Sequence, residues 1–170
     1  MRVVVAAVAV LFAGCARTPG PPVPLRSFVV HDVQGLEGGW ALWAAEDRAA
    51  TVQVVGRGPA GHVGLWEKRY AITLTPEQWA EVERLVGAHH LAAVKPPTRK
   101  AIPDETHPII MFAPHAGPLT RVTKWGGDKH PDFDPVYAYL LALCHVAGPP
   151  VWEGPFDWER RPNGFARPWE

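Results

Sequence analysis

The sequence is poor in the residue types on which many enzymes and disulfide-bonded proteins depend. Its 170 residues include two cysteines and a single serine, Ser27. The cysteines lack the paired spacing of a zinc site, and Ser27 lacks the Gly-x-Ser-x-Gly surroundings of a hydrolase nucleophile. Lysine plus arginine number 17, as do aspartate plus glutamate. This balance argues against nucleic acid as a partner.

A long apolar run is also missing. The run at residues 3–12 is too short to cross a bilayer, which takes roughly 20 apolar residues. It follows Arg2 and precedes a pair of small residues, a pattern typical of a cleaved secretory signal. Leu11-Phe12-Ala13-Gly14-Cys15 resembles the lipobox of bacterial lipoproteins, with Phe12 in place of the usual aliphatic residue.

This resemblance implies a signal peptide at residues 1–14, cleavage before Cys15 and a lipid on the Cys15 sulfur. Because two or more acyl chains anchor a protein firmly, the membrane is the first expected partner. The expected location is the cell envelope. Ala16 resembles the sorting signal for the outer membrane, facing the periplasm, in a Gram-negative host. The proline-rich residues 15–27 are expected to form an extended stalk.

Beyond the stalk, alternating apolar residues predict short strands. The predicted strands cover residues 28–30, 40–45, 51–55, 63–74, 109–113 and 119–125. Residues 56–61 have the glycine spacing of a dinucleotide-binding turn, but they lead into a predicted strand and not into a helix. They are therefore interpreted as a hairpin loop.

Two helices have clear start signals. Thr75, Pro76 and Gln78 form a capping box with proline at the first helical position, which predicts a helix at about residues 76–88. Asp134 before Pro135 predicts a cap for a second, largely buried helix at about 135–147.

The order of elements predicts an α+β fold, with an antiparallel sheet of about five or six short strands and both helices on one face. We expect a single domain at residues 28–148, followed by a Trp/Pro-rich tail at 149–170 that wraps the domain without regular structure. The layout is loosely similar to uncharacterised domains of exported bacterial proteins, a likeness that implies no activity.

Eight histidines and the neighbouring acids suggest a metal site. The candidate ligands are His107, His115, His130 and Asp128. Zinc needs three or four such groups around one point, and no His-Glu-x-x-His motif is present to bring them together. Cys144, next to His145 on an apolar helix, is typical of a buried, unreactive thiol. No cofactor is expected.

Eight tryptophans are the other unusual feature. Those in predicted strands and helices, including Trp43, are expected to pack in the core. Trp152, Trp158 and Trp169 in the tail are candidates for binding a partner, because tryptophan anchors interfaces. The preferred hypothesis is a non-enzymatic, lipid-anchored envelope protein that binds an envelope protein or polymer. The alternative is a metal-binding protein or metal-dependent hydrolase.

Overall fold

The computed structural model describes residues 18–100 and 102–157. The predicted signal peptide, Cys15, Trp158 and Trp169 lie outside these residues. The described part contains seven strands, two α-helices and a short 3-10 helix at Leu91–Ala93. The strands and α-helices are β1 Leu25–Gln34, β2 Gly38–Ala45, β3 Ala49–Arg57, β4 Leu65–Thr73, α1 Pro76–Ala88, β5 Ile109–Pro114, β6 Thr120–Thr123, α2 Asp134–Leu143 and β7 Trp152–Pro155.

All seven strands belong to one antiparallel sheet in the order β6-β5-β1-β2-β3-β4-β7. The predicted α+β class is confirmed, but the sheet has seven strands and not five or six. The additional strand is β7, within a tail that was expected to lack regular structure. Its four residues pair with the edge of β4, from Trp66 opposite Pro155 to Arg69 opposite Trp152. Such pairing depends on a distant strand and has no local signal.

The expected stalk boundary at residue 27 is wrong, because β1 begins at Leu25. Leu25 is fully buried, and its backbone N–H donates to Glu83 Oε1 at 2.8 Å. The register between β1 and β5 shifts between Leu25 and Ser27, a bulge that brings Leu25 into the same core as Phe28.

Residues 18–24 lie against α1. The Val23 N–H donates to the Glu83 carbonyl at 3.0 Å. Gly87 of α1 approaches this segment so closely that a Cβ there would lie 1.8 Å from the Pro21 carbonyl oxygen. Proline content therefore predicted an extended backbone, but not that the segment would pack on the domain.

Helix α1 is confirmed with its capping box. Thr75 Oγ1 accepts from the Gln78 N–H at 3.2 Å, and Gln78 Oε1 accepts from the Thr75 N–H at 2.8 Å. One stripe of the helix packs into the core, as its apolar spacing predicts. The buried residues of this stripe include Trp79, Val82, Leu85 and Val86.

Helix α2 is shorter than predicted and differently capped. It ends at Leu143, because the Cys144 N–H bonds the Leu141 carbonyl at 2.9 Å and tightens the last turn. Phe133 occupies the cap position without a side-chain bond. Asp134 instead accepts the His130 N–H at 3.0 Å and contacts Lys124 Nζ at 2.7 Å. The helix was expected to be largely buried, yet only Val136 and Leu140 within it are buried.

Both helices pack on the same face of the sheet and share one core cluster with it. The opposite face, called here the open face, carries the alternate side chains of the strands. No helix of the described residues has the length and apolar character needed to cross a membrane.

Candidate functional site

The open face is organised by the register of its four central strands. Four residues at the same level of the sheet are paired in turn across these strands. They are His31 of β1, Ala41 of β2, Gln53 of β3 and Arg69 of β4. We call these four residues the central row. Ala41, Gln53 and Arg69 are buried, although neither helix packs on this face.

A polar cluster lies at the β3–β4 side of the central row. Gln53 Nε2 donates to Glu67 Oε1 at 2.7 Å, and Arg69 Nε donates to the same oxygen. Glu67 is 2% exposed and Arg69 is 5% exposed. Burying two charged groups costs desolvation free energy. This cost is offset only when the pair has good geometry and its remaining polar atoms are hydrogen-bonded. The Arg69 guanidinium also lies 5.0 Å from the centre of the Trp152 ring, a cation–π contact.

A groove of about 620 Å³ opens at the end of the open face where β1 begins. We call it the Trp43 groove. Its walls come from β1 to β4, and small side chains leave the space that the Trp43 ring borders. Its lining includes Ser27, Val29, Trp43, Thr51, Ala71 and Thr73. Aliphatic and aromatic walls with a few hydroxyls are typical of a site that binds an apolar group.

A second cavity, of about 500 Å³, lies at the opposite end of the open face, beside the turn between β1 and β2. His31, Val33, Glu37, Asp104 and His107 are among its lining residues. The His107 ring stacks on Trp125 with 4.4 Å between ring centres. Burial, with the nearby charge of Arg121, lowers the pKa of His107 and favours its neutral form.

The four predicted metal ligands do not come together. His107 and His115 flank the six-residue strand β5, and a strand of that length is about 20 Å long. His115 Nε2 contacts Glu46 at 3.2 Å, while His130 Nδ1 accepts the N–H groups of Asp132 and Phe133 at 3.3 Å. Within residues 18–100 and 102–157, no group of three His, Cys, Asp or Glu side chains is placed to hold a metal ion.

Asp128, the fourth proposed ligand, instead belongs to an ion-pair network. Arg99 Nε donates to Asp128 Oδ1 at 2.8 Å, and the two terminal nitrogens of Arg99 donate to Glu105 at 2.5 and 2.8 Å. Glu105 also accepts the Gly127 N–H at 3.0 Å. The network joins the loop before β5 to the loop before α2, and its role is structural.

We predict that the Glu105 carboxyl titrates near pH 2. The Arg99 guanidinium and the Gly127 N–H lower its pKa from 4.5 to about 2. The stability contributed by Glu105 is therefore present above pH 4.5 and is lost as the pH falls towards 2. A carboxyl-carbon NMR titration measures this pKa directly. Arg99→Gln should return it towards the ordinary value, whereas Lys100→Gln should leave it unchanged. An ordinary pKa in the unmodified protein would contradict the network.

The remaining sequence candidates show no catalytic arrangement. Gly56 and Arg57 end β3, and the following residues turn into β4, so the glycine-spaced segment is a hairpin loop. The Cys144 thiol is buried, and burial raises its pKa to about 12. A thiol with such a pKa stays protonated near neutral pH and is a poor nucleophile.

Asp32 and Tyr137 form a partly buried hydrogen-bonded pair on the helix side of the sheet. The Tyr137 hydroxyl donates to Asp32 Oδ2 across the space between α2 and β1. Burial raises the pKa of Asp32, while the bond from Tyr137 and the charge of Lys124 oppose the shift. These groups tie α2 to the sheet, and the sequence analysis did not identify them because 105 residues separate them.

Two tryptophans of β2 were expected in the core and are not there. Trp43 borders the groove on the open face, and Trp40 is 41% exposed on the opposite face. Of the tail tryptophans, Trp152 lies in β7 and covers Arg69. The groove has a signal in the sequence, the small residues at alternate positions of neighbouring strands, but that signal becomes readable only once the register is known.

The open face therefore combines an apolar groove, a buried polar cluster and a second cavity with acidic and histidine side chains. Searches of protein families, of curated proteins and of solved structures each gave no match to this chain.

Proposed function

We propose that this protein is a non-enzymatic, lipid-anchored protein of the cell envelope, and that its domain binds an apolar segment of another envelope protein in the Trp43 groove. The observation that supports this most directly is the groove itself, a space of about 620 Å³ on the sheet face that neither helix covers. An apolar side chain that enters a concave site with mainly apolar walls buries most of its surface, and this burial contributes favourable binding free energy.

The chemistry of the groove favours a protein over a polysaccharide. Its polar side chains are hydroxyls, including those of Ser27, Thr51 and Thr73, and its lining includes no acidic, basic or amide side chain. A sugar carries many hydroxyls that need directed hydrogen-bond partners, and the side chains of this lining offer few of them. Leucine, phenylalanine or similar side chains of a partner protein fit these walls without leaving polar groups unpaired.

The anchor in this proposal is a lipid at Cys15. Two residues separate Cys15 from Thr18, where the described chain begins, and residues 18–24 lie against α1. The domain would therefore sit close to the bilayer and not at the end of a long stalk. In a Gram-negative host the proposed position is the outer membrane, on its periplasmic side. Radiolabelled palmitate should enter the full-length protein and be absent from Cys15→Ala.

We expect a photoreactive amino acid at Ala71, on the exposed wall of the groove, to give a discrete protein adduct in intact cells. Trp43→Ala should weaken the purified complex about 30-fold, because tryptophan anchors at interfaces are commonly worth 2 kcal/mol or more. Trp40→Ala is the matched control, since Trp40 lies on the same strand but faces the other side of the sheet.

The same photoreactive group at Ala138, an exposed position of α2, controls for chance encounters. Equal adduct yields at Ala71 and Ala138 would contradict binding in the Trp43 groove. An equal loss of affinity in Trp43→Ala and Trp40→Ala would contradict it as well. An adduct with a glycan and not with a protein would identify a polymer ligand.

A further inference from the structure

The second cavity of the open face is lined by acidic side chains, although the chain as a whole is neutral. We call it the His107 cavity. Its volume of about 500 Å³ is within the usual range for small-ligand sites. Among the described residues that line it, Glu37, Asp104 and Glu105 are acidic and none is lysine or arginine. The whole chain carries equal numbers of acidic and basic residues. This local excess of negative charge attracts cations.

Two of the three carboxylates are available to a ligand. Arg99 already holds Glu105 through bonds of 2.5 and 2.8 Å, which compensate its charge. Glu37 and Asp104 are exposed, and no ion pair within the described residues involves either of them. The cavity therefore offers two uncompensated negative charges to whatever enters it.

His107 supplies a neutral polar part of the wall. Its ring stacks on Trp125 with 4.4 Å between ring centres. Burial and the charge of Arg121 lower the pKa of His107, so the ring adds no positive charge to the cavity at neutral pH. The Nε2 atom of His107 is buried and has no hydrogen-bond partner in the part of the chain that the structure describes. Such a nitrogen costs free energy, and an N–H donor brought into the cavity offsets that cost.

Aliphatic side chains complete the lining. Val33 and Ile109 come from the neighbouring strands β1 and β5, and Leu36 lies in the turn after β1, where it is 73% exposed. Aliphatic groups beside carboxylates suit a ligand with an alkyl part and a cationic end. No three of the described histidine, cysteine or acidic side chains are placed to hold a metal ion, so the arrangement matches an organic cation.

We propose that the His107 cavity binds a ligand with a primary ammonium group on a short alkyl chain. Glu37 and Asp104 hold the ammonium group, and the alkyl chain packs on Leu36. A free alkylamine and a lysine side chain of a bound protein both present this chemistry. The proposal does not rest on the envelope partner proposed above, because the cavity and the Trp43 groove lie at opposite ends of the open face.

The test is a titration of the full chain with cadaverine, a linear diamine, followed by NMR of the backbone amides and of the His107 ring. We expect saturable shifts confined to the residues around the cavity. The uncharged pentanediol of the same chain length should cause none. A short peptide with one lysine distinguishes the two sources of the ligand. If cadaverine binds and the peptide does not, the ligand is a free amine; if both bind, the cavity admits a lysine of a protein.

Glu37→Gln and Asp104→Asn should each weaken cadaverine binding about fivefold, as expected for the loss of one solvent-exposed charge pair. Asparagine tolerates the left-handed backbone of residue 104, whose φ is 63°, so this change removes the charge without straining the loop. Glu46→Gln, beside His115 at the other end of the sheet, removes the same charge and is the matched control. It should bind cadaverine as the unmodified protein does, and so should Trp43→Ala.

Equal shifts with cadaverine and with pentanediol would overturn the proposal, because binding would then not depend on the ammonium group. Unchanged affinity in the double variant Glu37→Gln/Asp104→Asn would overturn it as well. Shifts that do not saturate and that spread over acidic residues of the whole surface would show a general attraction of cations, and would also overturn it. Cadaverine binding that persists in Trp43→Ala keeps this site separate from the fate of the groove.

Discussion

Glu67→Ala is expected to lower the free energy of unfolding by about 3 to 5 kcal/mol, the range found when one partner of a buried ion pair is removed. Glu67 is 2% exposed, and its Oε1 accepts from both Gln53 and Arg69. The substitution removes the carboxylate that faces the Arg69 guanidinium and leaves the Gln53 amide without that acceptor. Urea unfolding followed by tryptophan fluorescence measures the change.

The control removes both charges at once. Glu67→Leu/Arg69→Met replaces the pair by apolar side chains of similar size, and such replacements are commonly neutral or stabilising. We therefore expect the double variant to stay within about 1 kcal/mol of the unmodified protein. If the double variant loses as much stability as Glu67→Ala, the cost comes from lost packing and not from the charge of Arg69.

Leu25→Ala is expected to cost about 2 to 5 kcal/mol, the usual range for a buried leucine. Leu25 is fully buried in the main core, and its N–H is bonded to Glu83 Oε1. Leu119→Ala makes the same chemical change at a side chain that is 59% exposed, and it should shift stability by no more than about 0.5 kcal/mol.

Leu25→Ala also tests where the domain begins. If residues 15–27 were a solvated stalk, Leu25→Ala and Leu119→Ala would have equally small effects in chemical denaturation. A large difference between them requires that β1 include Leu25. It would also mean that a chain starting at residue 28 lacks part of the core.

Features governed by neighbours a few residues apart were predictable. The capping box of Thr75 and Gln78 joins groups three residues apart, so the start of α1 was predicted correctly. Alternating apolar residues predicted six of the seven strands, all but β7, although some boundaries were wrong. The end of α2 was misplaced, because an apolar run does not show which residue tightens the last turn.

The local pattern of the sequence determined the class of the domain, an α+β fold with an apolar core. It also determined the expectation of a lipid at Cys15, which rests on adjacent residues and needs no fold. Tertiary structure alone decided that β7 joins the sheet, that residues 18–24 pack on α1, and that Trp43 borders a groove. The reason is physical: register and face depend on strands far apart in the chain, and a shift of one residue would have turned Trp43 towards the helices.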